Sequence, residues 1–153
     1  KIRKLNLKLE DDLKLPEEFS NPQALFPGIL FIKGPKFTNE LSGSSCIEKL
    51  CDFLLPEQKK LDGFPLIIVC DDSSFAAHSI NNFLWVTFTR SNPASDIYGI
   101  DSYTDQKHWA CKGSLIIDCR IKPHHAPALE KIPEIEKKVD QLGTKGHPLH
   151  GII

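Results

Sequence analysis

Three stretches of this chain are apolar without interruption: Ile29-Leu30-Phe31-Ile32, Leu66-Ile67-Ile68-Val69-Cys70 and Leu115-Ile116-Ile117. Continuous runs of that length fit strands buried on both faces, the pattern of a parallel sheet. Between and after them the apolar period changes to that of a helix. Ile47, Leu50, Cys51 and Leu54 share one face, with Ser45 and Glu48 as a capping box and Pro56 beyond the end. Ser79 caps a second helix carrying Ile80, Phe83, Leu84 and Thr87. It ends near Arg90, because Asn92 precedes Pro93. Ile132, Ile135, Val139 and Leu142 mark a third, with Pro133 near its start and Gly143 at its end. Ile97 to Ile100 reads as a short strand. Leu5, Leu7 and Leu9 alternate with polar residues and predict one exposed strand before Pro16, Pro22 and Pro27 break the pattern. Strands alternating with helices predict an α/β fold, a three-layer α/β sandwich with a mostly parallel sheet. The expected organisation is a lead-in over 1–27 and an α/β domain over 28–153.

At 153 residues the chain suits one domain, long enough to bury a core without metal or disulfide support. Its formal net charge of −1 offers no basic surface for nucleic acid. No apolar run approaches the length of a membrane span, and the first fifteen residues are too charged for a signal peptide. The sequence contains no methionine and starts at Lys1, so a processed or trimmed piece of a longer protein is expected. The five cysteines are odd in number and lack C-x-x-C spacing, which predicts reduced, buried thiols in a cytoplasmic protein.

Candidate chemistry is sparse. Neither G-x-G-x-x-G nor a P-loop is present. Leu41 to Ser45 could cradle a phosphate with backbone N–H groups, though a capping loop is the simpler reading. Asp71-Asp72 ends the clearest strand, where ligands of α/β sheets collect, and could equally cap the next turn. His124-His125, between Pro123 and Pro127, suggests a metal at first sight. In an extended segment adjacent side chains point to opposite sides, and no spacing rule joins them to His108, Asp118 or Cys119.

More specific is the stretch Phe83-Leu84-Trp85-Val86-Thr87-Phe88-Thr89-Arg90-Ser91-Asn92-Pro93. With Leu66 to Asp72 before it, it resembles the C-terminal domain of UbiD-family decarboxylases. There, a strand ending in an acidic pair leads to a helix closing on a Trp-Ala/Val-x-x-Thr-Arg-x-x-Pro pattern. The stretches His108 to Gly113, Ile116 to Pro127 and Pro148 to Ile153 are similar to one branch of that family, and the resemblance covers about 28–153. It implies a non-oxidative carboxy-lyase acting on aromatic or α,β-unsaturated carboxylic acids, of the 4-hydroxybenzoate or polyprenyl-4-hydroxybenzoate type. The implied cofactors are prenylated FMN, Mn²⁺ and K⁺. The family's Glu-Arg-Glu catalytic set and its metal ligands lie in a flavin-binding barrel that nothing in this sequence matches. No catalytic or metal-binding residue is therefore expected in this chain, and alone it should be inactive.

The resemblance also implies a cleft-lining and oligomerising role, with the rest of the decarboxylase polypeptide and further copies as partners. A lysine after the first buried strand would reach the flavin phosphate. Lys33 and Lys36 both fit, and each also reads as a solvated strand-end lysine. Interface candidates are Trp85, Phe88, His124 and His125. Phe83 to Phe88 covers most of a helix's circumference at about 100° per residue, so one apolar side is expected to meet a partner. The alternative is a free-standing α/β interaction or regulatory module.

Overall fold

The computed structural model describes residues 4–10, 12–125 and 132–152. In chain order its elements are β1 (Ser20–Gln23), β2 (Ile29–Lys33), α1 (Glu40–Leu54), β3 (Leu66–Cys70), α2 (Ser73–Ala76) and α3 (Ile80–Thr89). Then come β4 (Ile97–Gly99), β5 (Ser102–Asp105), β6 (His108–Cys111), β7 (Leu115–Asp118) and α4 (Pro133–Gly143). The three uninterrupted apolar runs are β2, β3 and β7, adjacent and parallel in the order β1-β2-β3-β7-β4.

The sheet is mixed rather than mostly parallel, because both edge strands run against their neighbours. The edges gave no apolar run to read. β1 is Ser-Asn-Pro-Gln and β4 has three residues, and antiparallel edges tolerate water on one side. Pro22 sits in β1 without cost to the ladder's interior, since an edge strand needs N–H donors on one side only.

Strand alternation divides the core. Leu30, Ile32, Ile67, Val69 and Ile116 join Ile47, Leu50 and Leu54 of α1 in one buried cluster. Phe31, Ile68, Cys70 and Cys119 join Ala76 of α2 and Val86 of α3 in another. Each large apolar side chain among them contributes about 1.5–3 kcal/mol on burial. Because successive residues point to opposite faces, the two clusters flank one sheet.

Several local expectations change. Leu5 to Leu9 form no strand. Asn6 donates its N–H to Gly63 O and accepts from Gly28 N–H, single bonds to two different loops that leave no ladder partner. Leu5 and Leu7 are half exposed, whereas Leu9, Leu13 and Leu15 pack on the first cluster. α1 begins at Glu40 with Asn39 as its cap, six positions before the Ser45 cap that the sequence predicts. Asn39 Oδ1 accepts from Ser42 N–H at 3.0 Å, and Leu41 to Ser45 is helix, not a phosphate loop. Gly43 hid that first turn, but its bare Cα lets the Phe37 ring lie where a Cβ would stand. The hairpin β5–β6 was also unmarked. Its turn residues Gln106 and Lys107 both have positive φ, a geometry usually signalled by Asn-Gly. α3 and its Ser79 cap appear as expected. α4 forms too, but Ile132, Ile135, Val139 and Leu142 are all exposed. No helix among the described residues is long and apolar enough to cross a membrane.

Candidate ligand cleft at the ends of the parallel strands

β7 runs out into Asp118-Cys119-Arg120-Ile121-Lys122, where period-two alternation turns three charged side chains to one side. All three are buried: Asp118 and Arg120 are 1% exposed and Lys122 is 4%. Arg120 grips Asp118 with Nε to Oδ1 and Nη2 to Oδ2, both at 2.8 Å. Its remaining donors reach Pro35 O at 3.1 Å and Gly43 O at 3.2 Å, tying the β2–α1 loop and α1 to β7. Burial opposes the guanidinium's charge, but the bonds and charge of Asp118 outweigh it and the pKa of Arg120 is raised.

Lys122 Nζ donates to Asp118 O at 2.9 Å and pairs with Asp96 Oδ2 at 3.2 Å. Asp96, itself buried, also accepts from Asn92 N–H at 2.7 Å through Oδ2. Two carboxylates thus face two cations, and neither sign is left uncompensated in a place where a lone charge costs several kcal/mol. Phe37 lies 5.5 Å from both cationic groups.

Beside this quartet opens a cavity of about 390 Å³, walled by Phe37, Ser44, Ser95, Asp96, Tyr98 and Lys122, with Glu40, Asn92, Asp118 and His124 completing it. Its place beyond a strand's carboxyl end and its volume are those of small-molecule sites. A second cavity, of about 440 Å³, lies beside α1, β4 and β6 and is lined by Glu48, Asp52, Asp101, Tyr98 and Trp109, among others.

His124 lines the first cavity. Lys33, Lys36, Trp85, Phe88 and His125 are not among its lining residues. Lys33 and Lys36 stand exposed on either side of Gly34-Pro35, Lys36 next in the chain to Phe37. Trp85 and Phe88 project from α3, Trp85 with the Arg90 guanidinium 4.7 Å from its ring and Phe88 78% exposed. His124 and His125 do not diverge as an extended segment would make them. They sit in a turn with ring centroids 4.6 Å apart. His125 Nδ1 accepts from Lys122 N–H at 3.1 Å. Burial, then the neighbouring His124 and Lys122, lowers its pKa. Ala126 and Pro127, which follow the His124-His125 pair in the family-like stretch, and Ile153 lie outside the described residues.

The acidic pair at the end of β3 serves the backbone. Asp72 caps α2 by accepting from Phe75 N–H, and Asp71 accepts from Ile121 N–H at 2.8 Å with Arg90 3.5 Å away. The five cysteines stand as thiols, with no disulfide between them. Burial, then nearby carboxylates, pushes Cys51 and Cys70 up to about 12, and burial raises Cys119 further. Among the described residues no three His, Cys, Asp or Glu side chains gather as metal ligands. Sequence reasoning noted Asp118 only as a possible metal ligand and missed Asp96, Arg120 and Lys122. The signal was available: charges at every second position leaving a buried strand have no solvated face to occupy.

No protein-family model matches the chain. It is 30% identical over 95 residues to a Chlamydia pneumoniae protein named as one of the subunits of 4-hydroxybenzoate decarboxylase, covering 62% of this chain and 16% of that one. It is 29% identical over 131 residues to an uncharacterized protein of Chlamydia muridarum, covering 86% of this chain and 22% of the relative. The chain therefore spans about a fifth of the length of the curated relatives it matches. The vanillic acid decarboxylase of Sedimentibacter hydroxybenzoicus in its open form superimposes with a TM-score of 0.47 at 15% identity, over 82% of this chain and 29% of that one. The same enzyme with one of its components truncated gives 0.42 at 17%, over 74% and 26%.

Proposed function

We propose that this chain is the C-terminal, cleft-lining and oligomerising part of a UbiD-like carboxy-lyase that removes CO₂ from aromatic or α,β-unsaturated acids, with the catalytic barrel elsewhere in the polypeptide. The observation that carries the reading is the sequence match to a protein named for 4-hydroxybenzoate decarboxylation. In this reading prenylated FMN, with Mn²⁺ and K⁺, would be held largely by the rest of the polypeptide and would supply an electron sink for loss of CO₂. The residues present fit a contact with its phosphate and no more. Lys33 and Lys36 are exposed and enter none of the ion pairs found among the described residues. An ammonium there would bind a phosphate dianion as a point charge. The quartet then has a mechanical role, holding the Lys36 loop, the start of α1 and the His124 turn in one arrangement against which a flavin domain closes. Further copies would meet the chain through Trp85, Phe88, His124 and His125, in a cytoplasmic homo-oligomer.

The test joins gene and activity. The coding frame should continue upstream of Lys1 for several hundred residues. The full polypeptide, loaded with prenylated FMN and Mn²⁺, should release CO₂ from 4-hydroxybenzoate, and the 153-residue chain should not. Turnover by the chain alone, or a start codon immediately before Lys1, would overturn the assignment.

A further inference from the structure

We infer that the 390 Å³ cavity beside Asp96 binds a small uncharged molecule bearing a hydroxyl donor on a compact hydrocarbon body, and that it rejects carboxylates. The inference goes beyond the decarboxylase reading and does not rest on it.

The donor and acceptor inventory of the walls decides the ligand's chemistry. The two buried cations are fully engaged. Arg120 holds both oxygens of Asp118, two main-chain carbonyls and, at 3.8 Å, Cys46 Sγ, and Lys122 holds Asp96, Asp118 O and, at 3.4 Å, Arg90 O. Neither has a donor left for a ligand's carboxylate. Acceptors, by contrast, are under-used. Among the described residues, Asp96 Oδ1 receives only a long 3.4 Å bond from Ser95 Oγ, although the residue is 5% exposed. Ser44 Oγ receives only the Tyr98 hydroxyl, at 3.3 Å. Glu40, the remaining carboxylate of the wall, is exposed and solvated, so it stands outside the buried charge balance. A buried acceptor with a poor partner gains most from a new donor, and a carboxylate entering the cavity would lose water while both buried cations are already compensated. The Phe37 and Tyr98 rings supply the apolar surface that the hydrocarbon body covers. The quartet's balanced charge, two anions against two cations, favours an uncharged guest over an ammonium.

Cyclohexanol, cyclohexyl methyl ether, cyclohexanecarboxylate and cyclohexylamine share one ring and differ only in donor and charge. Titrated into the ¹⁵N-labelled chain, cyclohexanol should shift amides of Ser44, Ser95, Asp96, Tyr98 and His124 with millimolar saturation. The ether, which keeps the acceptor and loses the donor, should bind at least tenfold more weakly, and the carboxylate should not bind. Ser44→Leu fills the cavity from a helical position that favours leucine, so the fold is kept, and it should abolish the cyclohexanol shifts. Absence of saturable shifts with cyclohexanol overturns the inference. So does equal binding of the ether, carboxylate binding, tighter binding of cyclohexylamine, or survival of the shifts in a folded Ser44→Leu chain. None of these outcomes touches the decarboxylase assay, which reads CO₂ release from the full polypeptide.

Discussion

Arg120 and Asp118 form a two-bond fork, Nε to Oδ1 and Nη2 to Oδ2, with both residues 1% exposed and only one residue between them in the chain. Sealing such a pair from water stabilises little by itself, but breaking it strands a charge. Asp118→Ala should therefore cost about 3–5 kcal/mol, leaving Arg120 unpaired and Lys122 dependent on Asp96. Arg120→Met should cost less, since Lys122 still faces Asp118. The double change Asp118→Ala with Arg120→Met should be more stable than the sum of the single losses predicts, with a coupling of about 0.5–3 kcal/mol. Urea unfolding followed by circular dichroism supplies the cycle. Strict additivity would refute the buried fork.

A second constraint, at the first turn of α1 where Arg120 is anchored, is steric. At Gly43 a Cβ would fall inside the van der Waals envelope of the Phe37 ring, closest to Cε2. Gly43→Ala ordinarily strengthens a helix by up to about 1 kcal/mol. Here the ring must move, along with the carbonyl that Arg120 holds, and overpacking of this kind costs about 1–3 kcal/mol. The expected net sign is destabilising, and a raised melting temperature would show that Phe37 swings away freely.

These two features show where the sequence was legible and where it was not. β2, β3 and β7 announced themselves because a strand covered on both faces must be apolar at every position, and α3 because Ser79 and Pro93 bracket it. The alternation of these three strands with α1 and α3 followed, while β1, α2 and the β5–β6 hairpin did not. Strand direction at the edges did not, because Ser20–Gln23 and Ile97–Gly99 carry too few residues for a pattern. Leu5, Leu7 and Leu9 alternated convincingly, yet alternation specifies a strand only where a neighbour offers a ladder. The cleft was illegible for a different reason. Asp96 meets Lys122 across 26 positions through the fold, and Gly43 O meets Arg120 across 77, relationships that no local window contains. Lys33 and Lys36 came from resemblance, Trp85 and Phe88 from the apolar circumference of their helix, and all four remain exposed on the chain.

His125 links this cleft to pH. Its Nδ1 accepts from Lys122 N–H, so protonation at that nitrogen destroys the bond, consistent with the lowered pKa. A histidine whose folded pKa is depressed favours the fold while neutral. That contribution is fully present above the unfolded value of about 6.5 and is lost as pH falls through the folded one. Stability should decline from pH 7 towards pH 5, and His125→Gln should flatten part of the decline. Thermal melts of both chains across that range measure it. An identical slope in the variant would assign the acid sensitivity elsewhere.

The last prediction concerns the outer side of α3. Only Val86 and Thr87 of this helix are buried, while Leu84 is 42%, Trp85 37% and Phe88 78% exposed. The helix thus presents one side to the second cluster and an apolar side outward. Trp85 is partly occupied, with Phe75 edge-on at 6.1 Å and the Arg90 guanidinium at its face. Phe88 is the freer anchor. If copies associate through this surface, as the proposed function holds, Phe88→Ser should weaken the association by at least tenfold, the effect of losing about 1.4 kcal/mol at an interface centre. The same change should leave the monomer's stability within about 0.5 kcal/mol, because an exposed side chain has little packing to lose. Sedimentation velocity across a micromolar concentration series, paired with urea melts, separates the two effects. Unaltered association in a stably folded Phe88→Ser chain would remove α3 from the interface and leave the His124-His125 turn as the remaining candidate.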